Sequence, residues 1–478
     1  MDVEKLFEQC LANKHRSRFT ITGRTVYNFV ITPFSVWCDI FAPAEERDPL
    51  DKYMHLLFER GRQHEQDVRK ALFSDAVEIS LTSFETGFKH VLEACQKGVK
   101  SIVGAPVFYL PEDIYGIFDV LERDDSHSSI FGDYHYVVKE IKSAKHIKPE
   151  YVLQAAFYNY VLGKVQGYTS PKFYLINREK EESEFAYEKY SEQLMHAISG
   201  VREIFNGKVP SPTAKSCKWP WESYCTKKAI SADDVSIVPF VGSVLKEKLN
   251  RLGIMTVKQL ASQPVEVPDV PPATWKKIRI SAQAWVEKKP IVISKPRLPK
   301  SDVDLFLDFE GTDEIQGEEG MVRVDYLIGL LVKEKEAHFR PFVAENLADE
   351  GRMFHEFLSY MKKYPDAPIY HYGPYEKTHL SHLGQKYTAD VSHILVRMID
   401  LLPLVRRCVA FPTMSQSLKD IGRFLGYSWR GMSDAQESIV LYMQFLETKE
   451  RELLKRILDY NEDDVRATMV VKDYLAGL

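Results

Sequence analysis

The stretch DVDLFLDFEGT, residues 302–312, constrains this chain more than any other. Its apolar residues form the run of a strand buried within a sheet, yet it closes on Asp308-Phe309-Glu310. Residues two apart on a strand point the same way, so the two carboxylates share a face while Phe309 turns into the core. Like charges concentrated there repel unless a cation sits between them or their pKa values rise. An α/β fold that gathers further acidic groups around such a strand end is therefore expected.

The residues that follow supply those groups. VDYLIGLLV (324–332) and HFRPFV (338–343) read as antiparallel strands. The segment His371-Tyr372-Gly373-Pro374-Tyr375-Glu376 reads as a strand that breaks at Gly-Pro into a helix, with Glu376 near the helix start. MIDLLPLVRR carries Asp400, read as structural at a neighbouring strand end, and SQSLKDIGRFLGY reads as a helix. In the final helix Tyr460 and Asp464 stand four apart and share a face; Asp463 is the alternative, but the spacing favours Asp464. Two metals roughly 4 Å apart in such a cluster could clamp the attacking and leaving oxygens of a phosphodiester.

This ordered set over 301–478 resembles the DEDDy 3′–5′ exonucleases with a ribonuclease H-like fold. The resemblance implies Asp308, Glu310, Glu376 and Asp464 as metal ligands and Tyr460 as the residue that orients water. Glu376 departs from the family's Asp; it is one methylene longer and reaches a metal after a small backbone adjustment.

A second set lies upstream. An amphipathic helix over 50–73 carries His64, and a helix over 82–98 follows. Strands are expected in SIVGAPVFYL, YGIFDVLERD, YHYVVKEIKSAK and KFYLINR, with helices opening at Pro149 and covering 188–206. Glu140 and Lys142 project from one strand face, and the adjacent strand can bring Asp119 beside them. Gln154 and Tyr158 share a helix face. Glu-x-Lys alone reads equally well as an edge-strand ion pair. The order His64, Asp119, Glu140-x-Lys142, Gln154-x-x-x-Tyr158 resembles the PD-(D/E)xK nucleases, in the RecB-like branch that includes CRISPR-associated RecB-like exonucleases. That resemblance covers about 20–230. It implies that His64, Asp119 and Glu140 bind metal, that Lys142 assists the attacking water, and that Gln154 and Tyr158 complete the site.

Many RecB-like relatives also carry a [4Fe–4S] cluster, held by one early and three late cysteines. Cys38 fits the early position and Cys217 and Cys225 the late group, while Pro220 stands where another Cys belongs. Four thiolates are the normal requirement. A three-cysteine cluster, a non-Cys ligand and loss of the cluster all stay open, and no stoichiometric four-iron cluster is expected. The structural alternative is that these cysteines are small buried hydrophobes.

Charge divides the chain. Lys+Arg and Asp+Glu number 30 and 32 over 1–230, 12 and 6 over 231–300, and 21 and 30 over 301–478, so the nets are −2, +6 and −9. Within the basic block, VPFVGSVLKEKLNRLGIMTVKQLASQ resembles a helix-hairpin-helix. Gly242 opens its first helix, Gly253 ends it, and Thr256 with Gln259 caps the second. Gly242, Lys246, Lys248, Arg251 and Lys258 are its candidate contacts to a phosphate backbone. A small helical spacer with solvated lysines is the competing reading.

The expected architecture is α/β and multidomain. A restriction-endonuclease-like α/β core covers 1–230, a small helical hairpin domain 231–285, a basic Pro-rich linker 286–300, and a ribonuclease H-like α/β domain 301–478. This arrangement closely resembles RecB-like nucleases with a C-terminal YprB-type domain. It implies a Mg²⁺- or Mn²⁺-dependent nuclease, a DNA exonuclease acting on single strands or ends in repair or processing. Two alternatives are a nucleic-acid-binding scaffold that serves a helicase in trans and an RNA-processing exonuclease. Six scattered cysteines fit a reducing cytoplasm rather than a disulfide scaffold. No secretory signal, membrane span or Gly-x-x-x-x-Gly-Lys-Ser/Thr ATP loop is visible in the sequence.

Overall fold

The structure is a computed structural model describing residues 2–12, 19–80, 83–214, 216–263, 267–312, 315–317, 320–432 and 435–478. It divides into two compact units, Met1–Ala229 and Ile230–Leu478. Among the described residues no helix is long and apolar enough to cross a membrane.

The first unit is built on six strands: β1 (Val77–Glu78), β2 (Ser101–Tyr109), β3 (Ile114–Asp124), β4 (His135–Ile141), β5 (Lys172–Ile176) and β6 (Glu182–Ala186). They lie side by side in chain order. β2, β3 and β4 form an antiparallel meander, whereas β4 and β5 are parallel. A parallel neighbour needs a crossover, and the helix Pro149–Gln166 supplies it. That helix is apolar nearly all round because it is buried on most sides, with Pro149 pre-setting its first turn. Its Tyr158 ring presses so closely on neighbouring backbone that a Cβ at Gly23 or Gly116 would lie 2.5 or 2.6 Å from it. The helix Lys52–Leu72, capped by the Asp51 carboxylate on the Met54 amide, buries only Val68.

The second unit opens with short helices. Gly242 precedes the helix Ser243–Arg251, Gly253 follows it at φ +78°, and the Thr256–Gln259 capping box opens Val257–Ser262. The helix Pro272–Glu287 comes next. The stretch expected to be a free linker is partly ordered, because its β-branched pair Ile291–Val292 (β7) forms an antiparallel pair with β15 (Val409–Ala410).

The main sheet uses β8 (Asp304–Gly311), β11 (Asp325–Lys333), β12 (Ala337–Val343), β13 (Ile369–His371) and β14 (Met398–Asp400). A hairpin of β9 (Ile315–Gly317) and β10 (Gly320–Val322) lies between β8 and β11 in the chain. The sheet order is β12-β11-β8-β13-β14, with the first three strands antiparallel and the last pairs parallel. β8 is thus central, as its apolar sequence requires. The C-terminal helix Arg451–Ala476 is fastened to the sheet by Lys472 on Asp304 (2.6 Å) and by Asp473 on Lys333 (2.7 Å).

Candidate functional site

Two carboxylate centres form, one in each unit. In the second, β8 delivers Asp308 and Glu310 and the C-terminal helix delivers Asp464. One oxygen from each falls within 4.8 Å of the others, and among the described residues this is the His/Cys/Asp/Glu group that closes so tightly. Burial, then Asp464, Glu310 and Glu376, push the Asp308 carboxyl well above the usual range. Burial and Asp464 raise Glu310 to about 8, and burial raises Asp464 to about 6 against a hydrogen bond from Trp429. The cluster therefore resists ionising without a cation.

The neighbours hold each oxygen in place. Asn461 Nδ2 donates to Asp308 Oδ2 (2.6 Å), and Trp429 Nε1 donates to Asp464 Oδ1 (2.6 Å). Tyr460, one turn before Asp464, accepts a hydrogen bond from Lys419 Nζ at 2.7 Å. Burial and then the three carboxylates raise its phenol far above the ordinary value. Lys419 is also the cation that partly offsets Asp308, Glu310 and Asp464. Glu376 is buried at the start of the helix Tyr375–Lys386, and His371 Nδ1 sits 3.2 Å from its Oε2. It stands outside the tight trio but is close enough to raise Asp308. Asp463 faces elsewhere and takes hydrogen bonds from Tyr427 and Arg430. Asp400 accepts from the Gly373 and Leu402 amides (2.8 and 2.9 Å).

In the first unit Asp119 and Glu140 come from adjacent strands, and the Ile141 amide donates to Asp119 Oδ2 (2.7 Å). Lys142 Nζ donates to Glu140 Oε1 (2.8 Å) and to Gln154 Oε1 (3.0 Å), and Gln154 Nε2 donates to the Tyr158 hydroxyl (3.2 Å). This pair is no exposed edge contact: Glu140 is buried and its Oε2 has no hydrogen-bond partner. Burial and Asp119 raise Glu140 to about 8, and burial raises Asp119. Burial works to lower Lys142, but Glu140 and Asp119 hold it above its ordinary value.

The third acidic group here is Glu65, absent from the sequence expectation. Burial and then Asp119 raise it, while an ion pair to Arg69 opposes them. His64, the expected ligand beside it, has its pKa lowered by burial and interacts with Asp67 and the Asn177 backbone, and its Nε2 is unpartnered. A helix turns about 100° per residue, so a single sequence could not tell which of the two faces Asp119.

Two further expectations are corrected. Cys217 and Cys225 are joined by a disulfide, so they are not free thiolate ligands in this state. Cys38 is a buried free thiol in the same apolar cluster with Trp221, pushed up to about 12 by burial. In the helical region Lys246 is buried and paired with Asp234 at 2.9 Å, which removes it from any phosphate. Lys248 pairs with Asp269 (3.2 Å), whereas Arg251 and Lys258 are exposed and Gly242 caps its helix without a side-chain bond.

Residues 305–476, which contain the Asp308 cluster, match the family model of the RNase_H superfamily. No curated protein matches the chain. Among solved structures the chain is similar to the family B DNA polymerase from the hyperthermophilic archaeon Pyrobaculum calidifontis, at 15% identity and a TM-score of 0.29. The match covers 38% of this chain and 25% of that one. The chain carries an RNase_H superfamily domain at 305–476, set on a buried acidic cluster.

Proposed function

We propose that this chain is a metal-dependent phosphodiester hydrolase whose C-terminal unit removes nucleotides from the 3′ end of a DNA strand. The observation that carries the reading is the Asp308–Glu310–Asp464 cluster, whose oxygens converge while burial raises all three pKa values and repulsion from neighbouring cluster carboxylates adds to the rise of Asp308 and Glu310. Hard oxygen donors in that arrangement suit Mg²⁺ or Mn²⁺. A divalent ion there supplies positive charge to the scissile phosphate and to a developing alkoxide. Glu376, buried beside His371, is the fourth carboxylate of the set.

The protein's own groups prepare the attack. Lys419 donates to the Tyr460 hydroxyl, and that hydroxyl donates in turn to Asp464, so the phenol is held between the cation and the carboxylate where an attacking water would be oriented. The raised phenol pKa keeps Tyr460 neutral, so it donates rather than repels. Trp429 and Asn461 fix one oxygen each on Asp464 and Asp308, so the remaining oxygens aim at the substrate.

The first unit is proposed as a second hydrolytic centre on the RecB-like plan. Asp119 and Glu140 are its metal carboxylates, and Glu65 adds a further acid. Lys142 spends two of its protons on Glu140 and Gln154 and keeps the third for a water.

The test is digestion of 5′- and 3′-labelled single strands of DNA and of RNA with Mg²⁺, Mn²⁺ or EDTA. Metal-dependent shortening of 5′-labelled DNA from its 3′ end is expected. Intact strands under every condition would leave a binding scaffold as the reading, and preferential loss of RNA would reassign the substrate.

A further inference from the structure

Arg323 lies two residues before Asp325, which pairs with Gly311 at the strand end that carries Glu310, and its surroundings are unusual for a guanidinium. It is exposed, and among the described residues no carboxylate forms an ion pair with it. Instead its Nη2 donates to His379 Nε2 at 2.8 Å. The other ring nitrogen of His379 lies 2.5 Å from Asp325 Oδ1. An imidazole that accepts from arginine on one side must be neutral, with its proton on Nδ1 directed at Asp325. His379 and Asp325 are both buried, so the relay is rigid at its inner end and free only at the guanidinium.

Tyr375 adds a second hold. Its ring stacks on His379 with centroids 3.7 Å apart, and its hydroxyl is hydrogen-bonded to Arg323. The assembly sits against the carboxylates. Asp325 pairs with Gly311, the residue after Glu310, and Tyr375 precedes Glu376. A Cβ on Gly311 would lie 2.6 Å from Asp325 Oδ1 and 2.9 Å from the Tyr375 hydroxyl, so the strand end is kept bare to admit both.

A planar cation held by His379 and Tyr375, with no carboxylate ion pair among the described residues, and close in the sheet to the strand end that carries Glu310, is suited to an anion that arrives with the substrate. We infer that Arg323, held by His379 and Tyr375, grips a non-scissile phosphodiester of the strand whose end lies at the carboxylates. This rests on the nuclease reading above and deepens it. Arg323 is a substrate-positioning residue, and Asp325 and His379 act through it.

The experiment uses the full chain with Lys142→Ala, which silences the other centre. Cleavage of a single-stranded DNA is followed with Mn²⁺, and binding of the same strand with Ca²⁺ across a salt series. Arg323→Ala is expected to raise KM about tenfold, a loss of one charged contact, with kcat reduced by less than KM rises. The slope of log affinity against log salt should fall by about 0.7, the value for one phosphate of a single strand. Arg323→Lys should restore part of the affinity. A strand with one methylphosphonate at the gripped linkage should bind wild type as weakly as the unmodified strand binds Arg323→Ala, and lose nothing further in that variant. Thermal unfolding checks the fold; if Ala disrupts it, Arg323→Gln, which keeps a donor for His379, carries the same comparison.

An unchanged KM and salt slope in a variant of a wild type that cuts would overturn this inference alone. So would a loss confined to kcat, which would make Arg323 a counter-charge to the carboxylates. A wild type that neither binds nor cuts the strand would overturn the nuclease reading as well.

Discussion

Asp463 and Asp464 are neighbours on one helix and do opposite work. Asp463 accepts from Tyr427 (2.8 Å) and from the Arg430 side chain (2.9 Å) and amide (2.7 Å), which holds segment 427–430 against the helix. Asp464 faces two other carboxylates and is raised to about 6. Asp463→Ala should therefore destabilise the protein by about 2 kcal/mol, since it strands buried donors. Asp464→Asn should abolish metal-dependent cutting by the C-terminal centre, read in the Lys142→Ala background, yet raise metal-free stability at pH 8, by about 1–3 kcal/mol, because it removes a buried charge and keeps an acceptor for Trp429. Urea unfolding of both variants in EDTA checks the pair. Asp464 and Glu310 set the pH dependence of the metal-free protein. Their folded pKa values lie above the unfolded ones, so the native state binds more protons. The stability they contribute is full below the ordinary carboxylate range and is lost as pH rises through about 6 and about 8. The urea midpoint in EDTA should fall between pH 5 and pH 8.5, and Mg²⁺ should flatten the fall.

At the scale of elements, the spacing rules placed the strand end at Asp308-x-Glu310 and the shared face of Tyr460 and Asp464. Both are local periodicities, which one sequence displays. Lys419 and Trp429 were not legible as partners, because only tertiary packing brings the 415–430 segment onto the C-terminal helix. Lys246 misled for a related reason: a lysine in a basic block reads as solvated until Asp234 is seen beside it. The Cys217–Cys225 bond was equally invisible, since spacing does not state which thiols pair. Lys419 now carries its own expectation. Lys419→Met should lower kcat of the C-terminal centre roughly 100-fold with a smaller change in KM, because the loss falls on the group holding the attacking water rather than on strand binding. Single-turnover rates in the Lys142→Ala background measure it.

Over the whole molecule, the chain carries two acidic centres in two compact units, each with a buried carboxylate raised to about 8 and a lysine nearby. The lysines differ in what they hold: Lys142 bonds the Glu140 carboxylate directly, whereas Lys419 bonds a tyrosine hydroxyl. On the proposed function the two centres are independent hydrolytic sites, which mutation would separate. The most direct measurement compares the Lys142→Ala protein with Lys142→Ala/Asp308→Asn on a 5′-labelled single-stranded DNA in Mn²⁺. The single variant should produce a ladder that shortens progressively from the 3′ end, and the double variant should leave the strand intact. A ladder that persists unchanged when Asp308 is lost would contradict the assignment of the Asp308–Glu310–Asp464 cluster as a hydrolytic centre.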